Sequence, residues 1–237
     1  MSEEKKNSLP RLRDVIAEMT LPQSLAYLAD SFPGEVTLST SFSWEDQVLS
    51  HYALKAGLGI EIFTLDTGRL FPETYTVWSK TNERYQTKIK AYYPEQGDVE
   101  KYVNDKGPNA FYNSLADRKR CCFIRKVEPL RRALKGKSIW ITGLRAEHSP
   151  ERQEWQMLEW DESNSIIKYN PLLQATTEEL KKIIHDHSIP YNPLHDQGFV
   201  SIGCAPCTRA IQAGEDFRAG RWWWEENTKK ECGLHSR

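Results

Sequence analysis

The stretch Glu35-Val36-Thr37-Leu38-Ser39-Thr40-Ser41 runs directly into Phe42-Ser43-Trp44-Glu45-Asp46. Its first seven residues alternate and are rich in β-formers, which predicts a strand. Helical spacing then runs from Trp44 to Ala56, with Ser43 ahead of it and Gly57 closing it. A strand feeding a helix through a hydroxyl-rich turn is the repeating unit of a parallel α/β sheet.

The unit recurs along the chain. A strand is predicted over Ile60–Leu65, then the turn Asp66-Thr67-Gly68-Arg69, then a helix from Pro72 to about Tyr85. Ile89–Tyr93, Ser138–Thr142 and Ser165–Tyr169 read as further strands, and Thr177–Asp186 as a helix capped by Thr176 or Thr177. Upstream, Leu9–Asp30 has helical spacing; Gly97, Gly107 and Pro108 mark a loop before a cationic helix reaching Leu134. The expected fold is α/β, a doubly wound, mostly parallel sheet covered on both faces. Such sheets bind ligands beyond the carboxyl ends of their strands. The polar segments Ser41–Asp46, Asp66–Leu70 and Gly143–Arg152 fall there.

The 237 residues suit one domain with an appendage. Residues 1–212 are expected to form the domain. From 213 to 237 periodicity is lost, which predicts a mobile tail. A formal net charge of -1 gives no global field for nucleic acid or an anionic membrane. No run approaches the roughly 18 apolar residues of a spanning helix, and the charged start lacks a signal-peptide core. A soluble, cytoplasmic protein is expected.

Five cysteines, at 121, 122, 204, 207 and 232, are not expected to form disulfide staples in a reducing compartment. Two close pairs suggest four ligands to one centre, leaving Cys232 as a candidate reactive thiol. Thiolates hold zinc and iron–sulfur clusters alike. Cys204-Ala205-Pro206-Cys207 fits either. The adjacent Cys121 and Cys122 point about 100° apart on a regular helix, so both reach one centre only if it is wide or the helix is deformed. That favours a cluster, with zinc or plain buried thiols as the alternatives.

Cations surround the first pair, and Lys126 is one turn beyond Cys122. Such cations can offset cluster charge or attract an anion. Ser41 and Ser43 sit where helix N-terminal N–H groups bind phosphate or sulfate, although helix capping alone would account for Ser43. Asp66, Thr67, Gly68 and Arg69 form a second turn at a strand end. Arg145 and Arg152 can each grip an anion in bidentate fashion. Lys229, Lys230 and His235 would favour the Cys232 thiolate, with Glu231 opposing them.

SFSWED at 41–46, LDTGRLFPET at 65–74, CCFIRKVEPL at 121–130, GLRAEHSPER at 143–152, SIGCAPCT at 201–208 and ECGLH at 231–235 resemble the assimilatory adenylyl-sulfate reductases, the iron–sulfur branch of the phosphoadenylyl-sulfate reductase family. The resemblance implies a fold related to the adenine nucleotide alpha hydrolases (the PP-loop fold). Ser41-Phe42-Ser43 replaces their Gly-rich pyrophosphate cradle, which argues against an ATP-consuming enzyme.

The same resemblance implies a [4Fe–4S] cluster on Cys121, Cys122, Cys204 and Cys207, and Cys232 as nucleophile. It places Lys126 between cluster and substrate, Arg145 and Arg152 over the nucleotide, and His235 beside it. Adenosine 5′-phosphosulfate is the implied substrate and thioredoxin the implied electron donor. Use of the 3′-phosphorylated nucleotide, the physiological thiol donor (thioredoxin or glutaredoxin) and the oligomeric state stay open. An ATP-dependent RNA sulfurtransferase and a cluster-bearing redox sensor are the rival readings.

Overall fold

A computed structural model describes residues 2–148, 152 and 154–225. Six strands form one sheet in the order β3-β2-β1-β4-β6-β5: β1 Val36–Thr40, β2 Glu61–Leu65, β3 Lys90–Tyr92, β4 Ile139–Ile141, β5 Leu158–Asp161 and β6 Ile166–Tyr169. All pairings are parallel except β5 with β6. The expected doubly wound, mostly parallel sheet is present.

Because both faces of a parallel sheet are covered, the strands are apolar on alternate sides. Val36, Leu38, Ile139, Ile141, Ile167 and Tyr169 face the larger core. The helices contributing to it are α1 Ser2–Ile16, α2 Leu21–Ser31, α3 Trp44–Lys55, α4 Pro72–Tyr85 and α8 Thr177–Asp186. Phe63, Trp140 and Ile166 face the opposite way, against Leu130, Ala133 and Leu134. Among the described residues no helix is long and apolar enough to cross a membrane.

Several boundaries depart from the sequence reading. The segment expected as one helical stretch over 9–30 is two helices, α1 and α2. The loop expected after Tyr93 contains α5, Gln96–Lys106, which ends where Gly107 takes φ +94°. Gly97 masked this helix because glycine weighs against a helical interior, yet here it lies in the first turn. Strand β5 was also missed, being a short antiparallel edge strand of mixed composition. Thr176 caps α8 by a capping box: its hydroxyl accepts from Glu179 N at 3.2 Å, and Glu179 Oε2 accepts from Thr176 N at 2.7 Å.

The cationic helix is not one regular helix. It comprises α6 Leu115–Cys122, a π-helical turn Phe123–Val127 and α7 Glu128–Leu134. Within the turn, Glu128 N donates to Phe123 O, five residues back. Pro129 follows; it has no N–H to donate, and its ring disfavours the normal ladder one turn earlier. The deformation that two adjacent cysteines would require begins right after Cys122.

Residues 213–225 are irregular, as expected, but they are not loose. Arg221 pairs with Thr208 in an antiparallel bridge. Trp222 is 1% exposed, and the Arg118 guanidinium lies 4.4 Å from its ring centre. Arg118 also grips Glu225 with two hydrogen bonds, at 2.8 and 2.9 Å. The ordered body therefore extends past residue 212, held by side-chain anchors that carry no periodicity. Cys232 and His235 lie outside the described residues.

Candidate functional site

A cleft of about 210 Å³ opens at the carboxyl ends of β1, β2 and β4, where an open α/β sheet binds ligands. The turn after β1 builds one wall. Ser41 N and Ser41 Oγ both donate to Asp46 Oδ2, at 2.6 and 2.7 Å. Phe42 takes φ 60°, left-handed backbone that glycine adopts freely and a bulky residue does not. Its side chain is fully buried, stacked 5.7 Å from Trp78, and that burial holds the turn. Ser43 occupies the N-cap of α3 but makes no capping bond with its side chain, and it lines the cleft. Asp46 is pushed up to about 6, chiefly by burial, with the Ser41 hydrogen bonds opposing and Glu45 adding to the rise.

Gly143, after β4, must be glycine for a steric reason. A Cβ there would lie 2.7 Å from Glu45 Cβ and against Asp46 Oδ1.

Lys126, Arg152, Arg218 and Arg221 line the cleft, so an anion is the natural occupant. Lys126 and Arg152 were expected there. Arg218 and Arg221 were not, because they sit in the stretch read as tail; their charge and the neighbouring tryptophans were the available signal.

Arg145 requires a correction. It is 0% exposed and does not line the cleft. Its Nε donates to Glu45 Oε1 at 2.7 Å, Nη2 to Thr177 Oγ1 at 3.1 Å, and Nη1 to Ala175 O at 3.2 Å and to Glu147. Four of its five N–H donors are engaged inside the protein, so here it positions Glu45 and does not face the cleft.

The turn after β2 divides between two tasks. Thr67 lines the cleft, while Asp66 Oδ1 accepts from Gly68 N and Tyr75 Oη, both at 2.8 Å, and shapes the turn. Gly68 takes φ +70°. Arg69 turns away from the cleft, donates to Asn109 Oδ1 at 3.1 Å and lies 5.1 Å from the Phe111 ring centre. It lines a second cavity.

That second cavity is walled by Cys121, Cys122, Cys204 and Cys207. The π-helical turn and the 3₁₀ turn Ala205–Cys207 bring the two pairs together. Burial pushes the Cys207 thiol up to about 12, with Cys204 adding and Lys126 opposing. Burial also raises Cys121, against Arg125. Among the described residues, no three His, Cys, Asp or Glu side chains converge on a single metal ion. The donor set is four sulfurs around one shared space, a set that fits a thiolate-held metal group.

The two cavities share a wall. Lys126 and Arg221 line both. Thr67 Oγ1 lies 3.2 Å from Cys204 Sγ, and Arg125 Nη1 donates to Thr67 O at 2.6 Å. Gly203 lets Arg221 lie close, since a Cβ there would be 2.7 Å from the Arg221 Cζ.

Fold and cleft together define a doubly wound α/β protein with an anion-receptive site beside a four-cysteine cavity. Residues 35–210 match the phosphoadenosine phosphosulfate reductase domain, and the chain belongs to that family. Adenosine 5′-phosphosulfate reductase of Allochromatium vinosum is 50% identical over 202 residues, covering 85% of this chain and 79% of that protein. The Sinorhizobium fredii (strain USDA 257) protein of the same name is 46% identical over 224 residues, covering 94% and 89%. The crystal structure of phosphoadenylyl-sulfate reductase from Candida auris, a phosphate complex, superposes with a TM-score of 0.73 at 27% identity, covering 86% of this chain and 96% of that one. FMN adenylyltransferase of Candida glabrata, in complex with FAD and pyrophosphate, shares the fold alone, with a TM-score of 0.52 at 15% identity and coverage of 100% and 85%.

Proposed function

We propose that this chain reduces adenosine 5′-phosphosulfate to sulfite and AMP in the cytoplasm, during sulfate assimilation, with Cys232 as nucleophile and thioredoxin as electron donor. The observation that carries the reading is the wall shared by an anion-receptive cleft and a four-cysteine cavity, with Lys126 and Arg221 on both sides. The names of the relatives support the substrate.

Lys126, Arg152, Arg218 and Arg221 neutralise the phosphosulfate, and Ser41, Ser43 and Thr67 complete the wall around the nucleotide. The Cys232 thiolate attacks the sulfur, an S–S bond forms, and the S–O bond to the phosphate breaks. AMP leaves and S-sulfocysteine remains on the enzyme. One thioredoxin thiolate then attacks the Cys232 sulfur and sulfite departs with the electron pair of the broken S–S bond. The second thioredoxin cysteine closes its disulfide and returns Cys232 as a thiol. His235, three residues from Cys232, is assigned to the same approach.

Cys121, Cys122, Cys204 and Cys207 hold a [4Fe–4S] cluster in this reading. When bound, that group supplies fixed charge beside the cleft, which Arg69, Arg125 and Lys126 offset. Incubating the protein with adenosine 5′-phosphosulfate and no thiol should release one AMP per site and add a sulfonate mass to the peptide holding Cys232. Sulfonate on any other cysteine defeats the reading. Running the 3′-phosphorylated nucleotide in parallel decides whether the site takes it too.

A further inference from the structure

The second face of the sheet is apolar at Phe63, Trp140 and Ile166, but Lys168 interrupts it. Register puts Lys168 directly across from Trp140 on β4 and from Glu159 on β5. One row of three adjacent strands thus reads tryptophan, lysine, glutamate. Lys168 is 3% exposed, and a buried ammonium is costly unless it is paired. Its Nζ lies 3.4 Å from Glu159 Oε1, 5.5 Å from the centre of the Trp140 ring and 4.7 Å from that of Trp155. Burial lowers its affinity for a proton and Glu159 restores part of it.

A lysine kept there at such a cost needs a purpose beyond filling space. The Trp155 ring it approaches is also approached by Arg152, whose guanidinium carbon is 5.5 Å from the ring centre. Arg152 is 4% exposed and lines the cleft. Trp140 lines the same cleft and donates from Nε1 to Ser39 Oγ at 2.9 Å. Lys168, held by Glu159, therefore shares the Trp155 ring with a cleft cation. Two cations on one indole repel each other yet are each drawn to the ring, so the fixed ammonium limits where the arginine can rest.

We propose that Lys168, fixed by Glu159 across the strand, is a positioning residue that sets Arg152 through the Trp155 ring. The effect is on anion capture in the cleft, and it rests on the nucleotide reading of that cleft.

The test is calorimetric titration with AMP as the probe, in a mutant cycle. Lys168→Met, which keeps length and removes charge, should weaken AMP binding roughly tenfold when Arg152 is present, as expected for coupled neighbours. In an Arg152→Ala background it should change binding less than about twofold. Lys168→Arg should restore most of the affinity. If Lys168→Met does not fold, Trp155→Phe carries the same comparison. An equal loss in both backgrounds, or no loss in either, overturns the proposal while leaving the cleft assignment standing. If the unaltered protein binds no AMP, the nucleotide reading itself fails and takes this inference with it.

Discussion

Arg145 and Glu45 form an ion pair sealed inside the protein, Nε to Oε1 at 2.7 Å, with side-chain exposures of 0% and 5%. Removing the arginine would break this ion pair and take a compensating charge from a buried carboxylate beside the cleft. Arg145→Ala should therefore destabilise the fold by about 3–5 kcal/mol, the usual cost of breaking a buried pair from one side. Urea unfolding checks this. A variant of unchanged stability but weakened nucleotide binding would return Arg145 to the role of a ligand contact.

Asp46 gives a pH signature. Its carboxyl is raised from 3.8 to about 6 by burial, so between those values the folded chain binds more protons than the unfolded one. Stability from this group is full below about pH 4, falls as pH rises to about 6, and is flat above. Asp46→Asn removes the penalty on ionisation and keeps an oxygen to accept from Ser41. The variant should gain on the parent between pH 4 and 6, by at most about 3 kcal/mol. Denaturant midpoints at several pH values measure it; a constant difference refutes it.

Gly203→Ala offers a gentle way to move Arg221. The new methyl meets the far end of a long side chain, not backbone, so the fold should survive. AMP affinity should drop by about 1.5–3 kcal/mol if the guanidinium contact is lost. Equal affinity for parent and variant would show that Arg221 is not a nucleotide contact.

Purified without oxygen, the protein should carry about four irons and four labile sulfides per chain, as a four-thiolate cubane needs. Cys121→Ser or Cys207→Ser should lose iron and turnover together. Cys232→Ser should keep its iron and lose turnover, since a serine hydroxyl is a far poorer nucleophile. Iron analysis beside a sulfite assay separates these outcomes, and full turnover by Cys232→Ser excludes it as nucleophile.

The strands and the cleft were legible because alternation and capping are local signals. Val36–Thr40, Glu61–Leu65 and Ile139–Ile141 fall within one residue of the expected strands. The pairing of Cys121 and Cys122 with Cys204 and Cys207 was also readable, from spacing. What escaped depended on tertiary contacts. Arg145 looks like Arg152 in sequence, and only packing decides which one faces the cleft. Arg218 and Arg221 belong to a segment whose order comes from Trp222 beneath Arg118, a long-range contact with no periodic trace. The π-helical turn had a partial signal in Pro129, one that specifies an irregularity and not its kind.

The Arg118–Glu225 anchor sets a radius. Seven peptide units separate Glu225 from Cys232, so the Cα of Cys232 cannot lie farther than about 25 Å from the Cα of Glu225, whatever path the chain takes. A group tethered so briefly meets its target at an effective concentration in the millimolar range. In the proposed reaction Cys232 is thereby supplied as an intramolecular reagent. Loosening Trp222 or Glu225 would dilute it without altering a single atom of the thiol.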